Sequence, residues 1–137
     1  MMSRVFIDTN IFIYAIDRHD PEKQKRCRRR LSDIEKDGNG VISTQVLQEY
    51  FVVSTKKIGL DPIVAKQHVE TLSNWEVVDI DLEVIRAAID GSILNQISFW
   101  DALIVAAAQS SKCSTLVSED FGHGRRFKEL LVENILI

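Results

Sequence analysis

The stretch Arg4-Val5-Phe6-Ile7-Asp8-Thr9-Asn10 opens the chain with a short aromatic and β-branched run that leads into an aspartate. This composition predicts a buried strand over residues 4–8, and the apolar residues 11–16 predict a short helix behind it. Similar short runs recur at residues 41–43, 75–80 and 115–118. Because amphipathic segments separate these runs, the pattern indicates an α/β fold built around a mainly parallel sheet.

The predicted helices carry clear start and stop signals. Asp20-Pro21 and Asp61-Pro62 each place a capping carboxylate before a proline suited to the first helical position. Cys27 lies on the apolar stripe of the first of these helices, which residues 37–40 (Asp-Gly-Asn-Gly) bring to an end. Further helices are predicted after Ser43, over residues 82–94 and 98–108, and, in short form, near residues 125–131. A strand over residues 132–137 completes a sheet of four to five strands in one domain, residues 1–137.

Composition restricts where the protein acts and what it binds. A formal net charge of −3 gives no general attraction to nucleic acid, so such a partner needs local basic patches or bound metal. Cys27 and Cys113 fit neither a metal motif nor a disulfide scaffold, which favours a reducing compartment. The strand at residues 4–8 leaves no room for a secretion signal. The apolar run at residues 102–108 is far shorter than the roughly 20 residues of a membrane span. We therefore expect a cytoplasmic protein with no membrane segment.

Four acidic residues lie where a predicted parallel strand ends or where the next helix begins: Asp8, Glu49, Asp101 and Asp120. Because the carboxyl ends of parallel strands meet at one edge of a sheet, we expect these side chains to lie together. Carboxylates brought together without cationic partners repel one another unless some take up protons or a divalent cation neutralises them. The spacing therefore suggests a site for Mg²⁺, with Mn²⁺ as a possible substitute.

Each of these acids also has a simpler interpretation. Asp8 and Asp120 suit a helix cap and a turn, respectively, and Glu49 suits a solvated position beside an apolar stripe. Asp101 stands three residues after Ser98, which is the spacing of a capping box. Glu119 competes with its neighbour Asp120, but alternation along an extended chain directs the two side chains apart. The joint placement of the four at one sheet edge favours the functional interpretation.

Four segments around these acids resemble the motifs of the PIN-domain nucleases and, more closely, of the VapC toxins of bacterial and archaeal toxin–antitoxin pairs. Residues 6–11 (Phe-Ile-Asp-Thr-Asn-Ile) are similar to the opening strand of the family, and residues 43–49 to its second acidic motif. Residues 98–104 (Ser-Phe-Trp-Asp-Ala-Leu-Ile) form the most specific match, and residues 116–121 resemble the fourth motif. All four acidic positions keep their acid, and Ser118 retains a hydroxyl where many relatives carry threonine.

The resemblance implies a PIN-like α/β/α sandwich, metal-dependent endoribonuclease activity, a homodimer and a cognate antitoxin protein that blocks the site. In such an enzyme the four carboxylates position metal for hydrolysis of RNA phosphodiester bonds. Thr9, Asn10 and Ser118 are candidates to hold those carboxylates or a metal-bound water. Arg125, Arg126 and Lys128 follow the Asp120 loop and are candidates for contacts with RNA phosphates.

Two alternatives remain open from the sequence alone, and a third lacks a residue that it requires. A catalytically silent PIN-like domain that only binds RNA or protein would carry the same pattern. A receiver-type signalling module also has an acidic Mg²⁺ pocket, but it needs paired acids after the first strand, where Asp8 stands alone. A phosphotransferase of the haloacid-dehalogenase type needs a second aspartate at position 10, which is Asn10.

Overall fold

A six-stranded sheet forms the centre of the protein in a computed structural model that describes residues 3–137. Its strands are β1 (Val5–Ile7), β2 (Gly40–Ser43), β3 (Glu76–Val78), β4 (Thr115–Val117), β5 (Arg126–Phe127) and β6 (Leu130–Glu133). They are arranged in the order β3-β2-β1-β4-β6-β5. All neighbouring strands are parallel except β5, which runs antiparallel to β6. The predicted α/β fold with a mainly parallel sheet is thus confirmed.

Six helices flank the sheet, and they begin at residues whose side chains can cap them. They are α1 (Thr9–Ile16), α2 (Pro21–Asp37), α3 (Thr44–Lys56), α4 (Pro62–Leu72), α5 (Leu82–Asn95) and α6 (Phe99–Ser110). Asp20 and Asp61 accept hydrogen bonds from the free backbone N–H groups of α2 and α4, each of which starts with proline as predicted. Gly38 ends α2 in the left-handed conformation (φ 68°), which glycine adopts without strain.

The core surrounds the two central strands. Every residue of β1 is buried, and β1 pairs with β2 on one side and with β4 on the other. Residues 102–108 of α6 are all buried, and so is Cys27 of α2. Trp75 packs edge-on against Phe12, and its indole lies so close to Gly40 that a Cβ there would overlap it. The buried strand β1 thus ends directly at Asp8 in the middle of the sheet.

The C-terminal part of the chain differs from the prediction. The prediction of a short helix near residues 125–131 is wrong, because this segment forms the hairpin of β5 and β6. The turn between them has Lys128 in the left-handed conformation (φ 56°) without the glycine or asparagine that usually marks such a turn. Strand β6 covers Leu130–Glu133 rather than residues 132–137, and β5 raises the strand count from the predicted four or five to six.

No single helix between residues 3 and 137 has both the length and the apolar composition needed to cross a membrane. Helices α5 and α6 meet that test only as a pair, and they are bent by 119° where they join.

Candidate active site

Asp8 lies at the carboxyl end of β1, where the strand passes into α1. The pairing of Ile7 with Val117 brings it beside Ser118, which follows β4. One carboxylate oxygen of Asp8 accepts a hydrogen bond from the backbone N–H of Thr9 (2.8 Å), and the other accepts from the hydroxyl of Ser118 (2.7 Å). Asp8 is only 6% exposed. It therefore caps α1, as its simpler interpretation required, and also faces the site.

Glu49 reaches the same place from α3. The hydroxyl of Thr9 donates to Oε1 of Glu49 at 2.6 Å, which joins the start of α1 to the second acidic motif. Glu49 is half-buried and lines the pocket described below, so the interpretation as a merely solvated position is wrong. Thr9, predicted to hold a carboxylate, does so.

Asp101 occupies the first turn of α6. The hydroxyl of Ser98 accepts a hydrogen bond from the backbone N–H of Asp101 (3.1 Å), which is one half of a capping box. Within the part of the chain that the structure describes, the Asp101 carboxylate does not bond back to Ser98 and instead lines the pocket. Gln45 of α3 donates to the backbone carbonyl of Trp100 (3.2 Å) and ties this turn to α3.

Asp120 and Glu119 point in different directions, as alternation along the chain predicted. Asp120 lines the pocket, and its backbone N–H donates to the hydroxyl of Ser118 at 3.1 Å. Glu119 accepts a hydrogen bond from the hydroxyl of Tyr14 (2.6 Å) and lies 3.9 Å from the ammonium of Lys23. The same ammonium lies 4.6 Å from the centre of the Tyr14 ring. Glu119 therefore has a hydroxyl donor and a cation as partners, neither of which lines the pocket.

The four carboxylates line one pocket of about 330 Å³ between α3 and α6. Its lining consists of Asp8, Thr9, Asn10, Gln48, Glu49, Val52, Val53, Trp100, Asp101, Ile104 and Asp120. No lysine, arginine or histidine of residues 3–137 takes part in this lining. The pocket is therefore strongly negative, with an apolar portion supplied by α3 and α6.

The pKa values of two pocket carboxyls are raised, first by burial and then by the neighbouring negative charges. Burial raises the pKa of Asp8 to about 7. The hydrogen bonds from Ser118 and Thr9 oppose this shift, and the nearby Asp120 and Glu49 carboxylates add to it. The pKa of Asp120 is also raised, first by partial desolvation of its carboxyl and then by neighbouring carboxylates that include Asp101. The ionised forms of Asp8 and Asp120 are thus disfavoured unless a cation neutralises them.

The chemistry of this donor set fits a hard divalent cation. Carboxylate oxygens, with a nearby threonine hydroxyl and an asparagine amide, are ligands that Mg²⁺ and Mn²⁺ prefer in proteins. No three His, Cys, Asp or Glu side chains between residues 3 and 137 converge closely enough to form a complete ligand set by themselves. Mg²⁺ ordinarily keeps several waters and binds one or two carboxylates directly, which matches acids that share a pocket without meeting at one point.

Arg125, Arg126 and Lys128 do not line the pocket. Arg126 pairs with Leu131, which is opposite Thr115 at the start of β4, so it lies towards the amino edge of the sheet. Lys128 lines a different cavity at that edge, and the guanidinium of Arg125 packs 4.5 Å from the centre of the Phe127 ring. None of the three therefore belongs to the pocket lining, and their contact with RNA phosphates stays a prediction.

Sequence analysis did not identify Tyr14, Lys23 or Trp100 as part of the site. The alternation that turned Glu119 away from Asp120 implied a partner on the far side, but not which residue it would be. Trp100 precedes Asp101 inside the most specific motif, and only the structure shows that its side chain shares the pocket.

A protein-family model described as PIN domain matches residues 5–129, which include all four pocket carboxylates. The chain belongs to the PIN domain family. The solved structures that this PIN domain resembles include the VapBC2 complex of Rickettsia felis bound to a DNA fragment from their promoter, at 26% identity, with 95% of this chain and 97% of that chain covered and a TM-score of 0.68. A toxin–antitoxin complex from Klebsiella pneumoniae gives 18% identity, coverage of 94% and 96% and a TM-score of 0.71.

Mycobacterium tuberculosis VapC20, a sarcin–ricin loop cleaving toxin, shares the fold at 20% identity, with 85% of this chain and 92% of that chain covered and a TM-score of 0.70. Comparison with curated proteins gave no match. The resemblance to VapC toxins noted from the sequence is confirmed by these neighbours.

Proposed function

We propose that this PIN domain is a Mg²⁺- or Mn²⁺-dependent endoribonuclease and the toxin of a toxin–antitoxin pair. The observation that carries the proposal is the pocket that Asp8, Glu49, Asp101 and Asp120 line together, with no lysine, arginine or histidine of residues 3–137 in its lining. Such a pocket repels a phosphodiester unless a cation intervenes. Support from relatives comes from the VapBC complexes and from VapC20, which is described as cleaving the sarcin–ricin loop.

The four carboxylates would hold the metal, some of them directly and some through water. Bound there, a divalent cation supplies a hydroxide equivalent near neutral pH and neutralises charge on the phosphodiester. Asp101 and Asp120 make no side-chain hydrogen bonds with other described residues, so their oxygens are free to accept. Each oxygen of Asp8 already accepts one hydrogen bond, which fixes the orientation of this carboxylate.

The polar neighbours act by orienting the acids. Ser118 donates to the Asp8 carboxylate and accepts from the backbone N–H of Asp120, so one hydroxyl links Asp8 to the backbone that carries Asp120. Thr9 occupies one oxygen of Glu49 and leaves the other for the pocket. Removal of a hydrogen bond to a metal-binding side chain commonly lowers metal affinity by about 10- to 100-fold.

The proposal includes partners. A cognate antitoxin protein would bind and block the pocket, in keeping with the toxin–antitoxin complexes among the similar structures. We also propose that the chain forms a homodimer and acts in the cytoplasm.

Purified protein, freed of any bound partner, should cut labelled total RNA into discrete fragments in Mg²⁺ or Mn²⁺ and not in EDTA. Asp101→Asn should abolish cleavage, because it removes a pocket carboxylate while retaining the shape of the side chain. Asp90→Asn is the matched control, since Asp90 is an exposed aspartate of α5 outside the pocket. Folding of both variants is checked by circular dichroism.

Cleavage that survives Asp101→Asn would show that this pocket is not the active site. Absence of cleavage by the unaltered protein in either metal would favour a silent PIN-like module that only binds RNA or protein.

A further inference from the structure

Trp100 is an exposed tryptophan on the rim of the acidic pocket. It is 64% exposed, whereas the other tryptophan, Trp75, is half-buried and packs against Phe12. A large aromatic ring left in water beside a reactive centre loses the burial that normally stabilises such a residue. The position therefore needs an explanation other than packing of the core.

The backbone that carries this ring is firmly held. The carbonyl of Trp100 accepts a hydrogen bond from the Gln45 amide, and Ser98 caps the same helical turn. The Phe99 ring packs edge-on against the indole, with centroids 5.1 Å apart and planes at 76°. An exposed ring on a fixed base loses little conformational freedom when a ligand covers it.

The pocket has two parts with different chemistry. The carboxylates form one part, and Trp100, Ile104 and the 48%-exposed Val52 contribute apolar surface to the other. A nucleotide has the same division, because its phosphate is charged and its base is flat and largely apolar on both faces. The acidic part can hold a phosphate only with a cation, whereas the apolar part offers the flat Trp100 ring for direct contact with a base.

We propose that Trp100 is a substrate-binding residue that stacks on an unpaired nucleobase next to the phosphodiester held at the carboxylates. This inference rests on the proposed function and assigns to Trp100 the direct contact with the base. Bases inside a duplex are already stacked on both faces, whereas those of loops and ends are free to stack on aromatic side chains. Stacking is tolerant of base identity, so Trp100 selects unpaired RNA rather than a particular sequence.

The competing explanation is a protein surface that covers Trp100. Ile93 and Leu94, near the end of α5, are 73% and 78% exposed and offer apolar area for such a contact. Neither of them lines the acidic pocket, whereas Trp100 does. The continuity of Trp100 with the carboxylates favours the nucleobase, and Leu94 provides a control for the alternative.

Cleavage kinetics on a single-stranded RNA fragment identified from the total-RNA digest test whether Trp100 contributes to substrate binding. Trp100→Ala should raise KM by about 5- to 150-fold, which is the effect of losing one aromatic–base stack, and should leave kcat nearly unchanged. Trp100→Phe should recover most of the affinity, because phenylalanine also stacks. Leu94→Ala should leave KM unchanged.

Ligand binding gives a readout that does not depend on cleavage. Adenosine monophosphate carries a base and ribose 5-phosphate does not, and each is added in the presence of Mg²⁺. Binding is followed by NMR at the indole N–H resonance of Trp100, which is assigned by its loss in Trp100→Phe. The nucleotide should shift this resonance and bind more tightly than the sugar phosphate to the unaltered protein. That preference should disappear in Trp100→Ala.

The outcomes separate this inference from the proposed function. If RNA is not cut but the preference for the nucleotide depends on Trp100, the nuclease proposal fails and the base-binding site stands. Equal binding of the two ligands, or a preference that survives Trp100→Ala, overturns the inference even if RNA is cut. The alternative is a protein interface at Trp100. It would be assigned if Trp100→Ala and Leu94→Ala both change the sedimentation coefficient while the preference for the nucleotide stays intact.

Discussion

Replacement of Asp8 by asparagine should make the metal-free protein more stable, although it removes a residue of the proposed site. Burial raises the pKa of this carboxyl from its usual 3.8 to about 7. At about 1.4 kcal/mol for each pH unit, the ionised Asp8 lowers the free energy of unfolding by about 4 kcal/mol above pH 7. Asparagine avoids this cost, and its amide can still accept from the Thr9 N–H and donate to the Ser118 hydroxyl.

The sign of the effect depends on pH. Because the folded state binds the Asp8 proton more tightly than the unfolded state does, this carboxyl favours folding below about pH 4, and its contribution is lost as pH rises to about 7. Asp8→Asn should therefore change little near pH 4 and should gain about 2 to 4 kcal/mol at pH 8, with the lower value allowing for imperfect amide hydrogen bonds.

Urea unfolding in EDTA, followed by tryptophan fluorescence from about pH 4 to pH 8, measures this difference. Asp90→Asn serves as the control for loss of an exposed charge and should show no comparable pH dependence. Mg²⁺ should then stabilise the unaltered protein more than Asp8→Asn, since ligands stabilise the state that binds them. A variant that is less stable than the unaltered protein at pH 8, or a difference that does not vary with pH, would refute the reasoning.

Three further substitutions, one of them a control, test how Glu119 and the start of β2 are held. Tyr14→Phe removes the hydroxyl that holds Glu119 away from the pocket. The rate of RNA cleavage should fall about fivefold at limiting Mg²⁺, which corresponds to the roughly 1 kcal/mol of one hydrogen bond, and should recover at high Mg²⁺. Tyr50→Phe also loses a buried hydroxyl bond, here to a histidine of α4, and should leave cleavage unchanged; equal losses in the two variants would contradict the positioning role. Gly40→Ala should lower the free energy of unfolding by about 1 to 3 kcal/mol in denaturant titrations, since the added methyl overlaps the Trp75 ring, and an unchanged midpoint would show that the indole moves aside.

Local signals allowed much of the fold to be predicted. The aspartate–proline pairs before α2 and α4 and the serine before α6 act within a few residues, so their helices begin where the sequence places them. The C-terminal hairpin was missed because its turn lacks glycine and its residues suit a helix equally well. Pairing of β6 with β4, which brings together Thr115 and Leu131, decided its structure.

The sequence by itself determined the α/β class, the four acidic positions and the family resemblance, because strand composition, caps and motifs are properties of neighbouring residues. Only the tertiary structure decided which groups share the pocket. The Ser118–Asp8 and Tyr14–Glu119 hydrogen bonds join residues more than 100 positions apart, and they exist because the sheet places β1 beside β4. The same packing removed the C-terminal cations from the pocket and put Trp100 on its rim, since the direction of a side chain depends on elements distant in the chain.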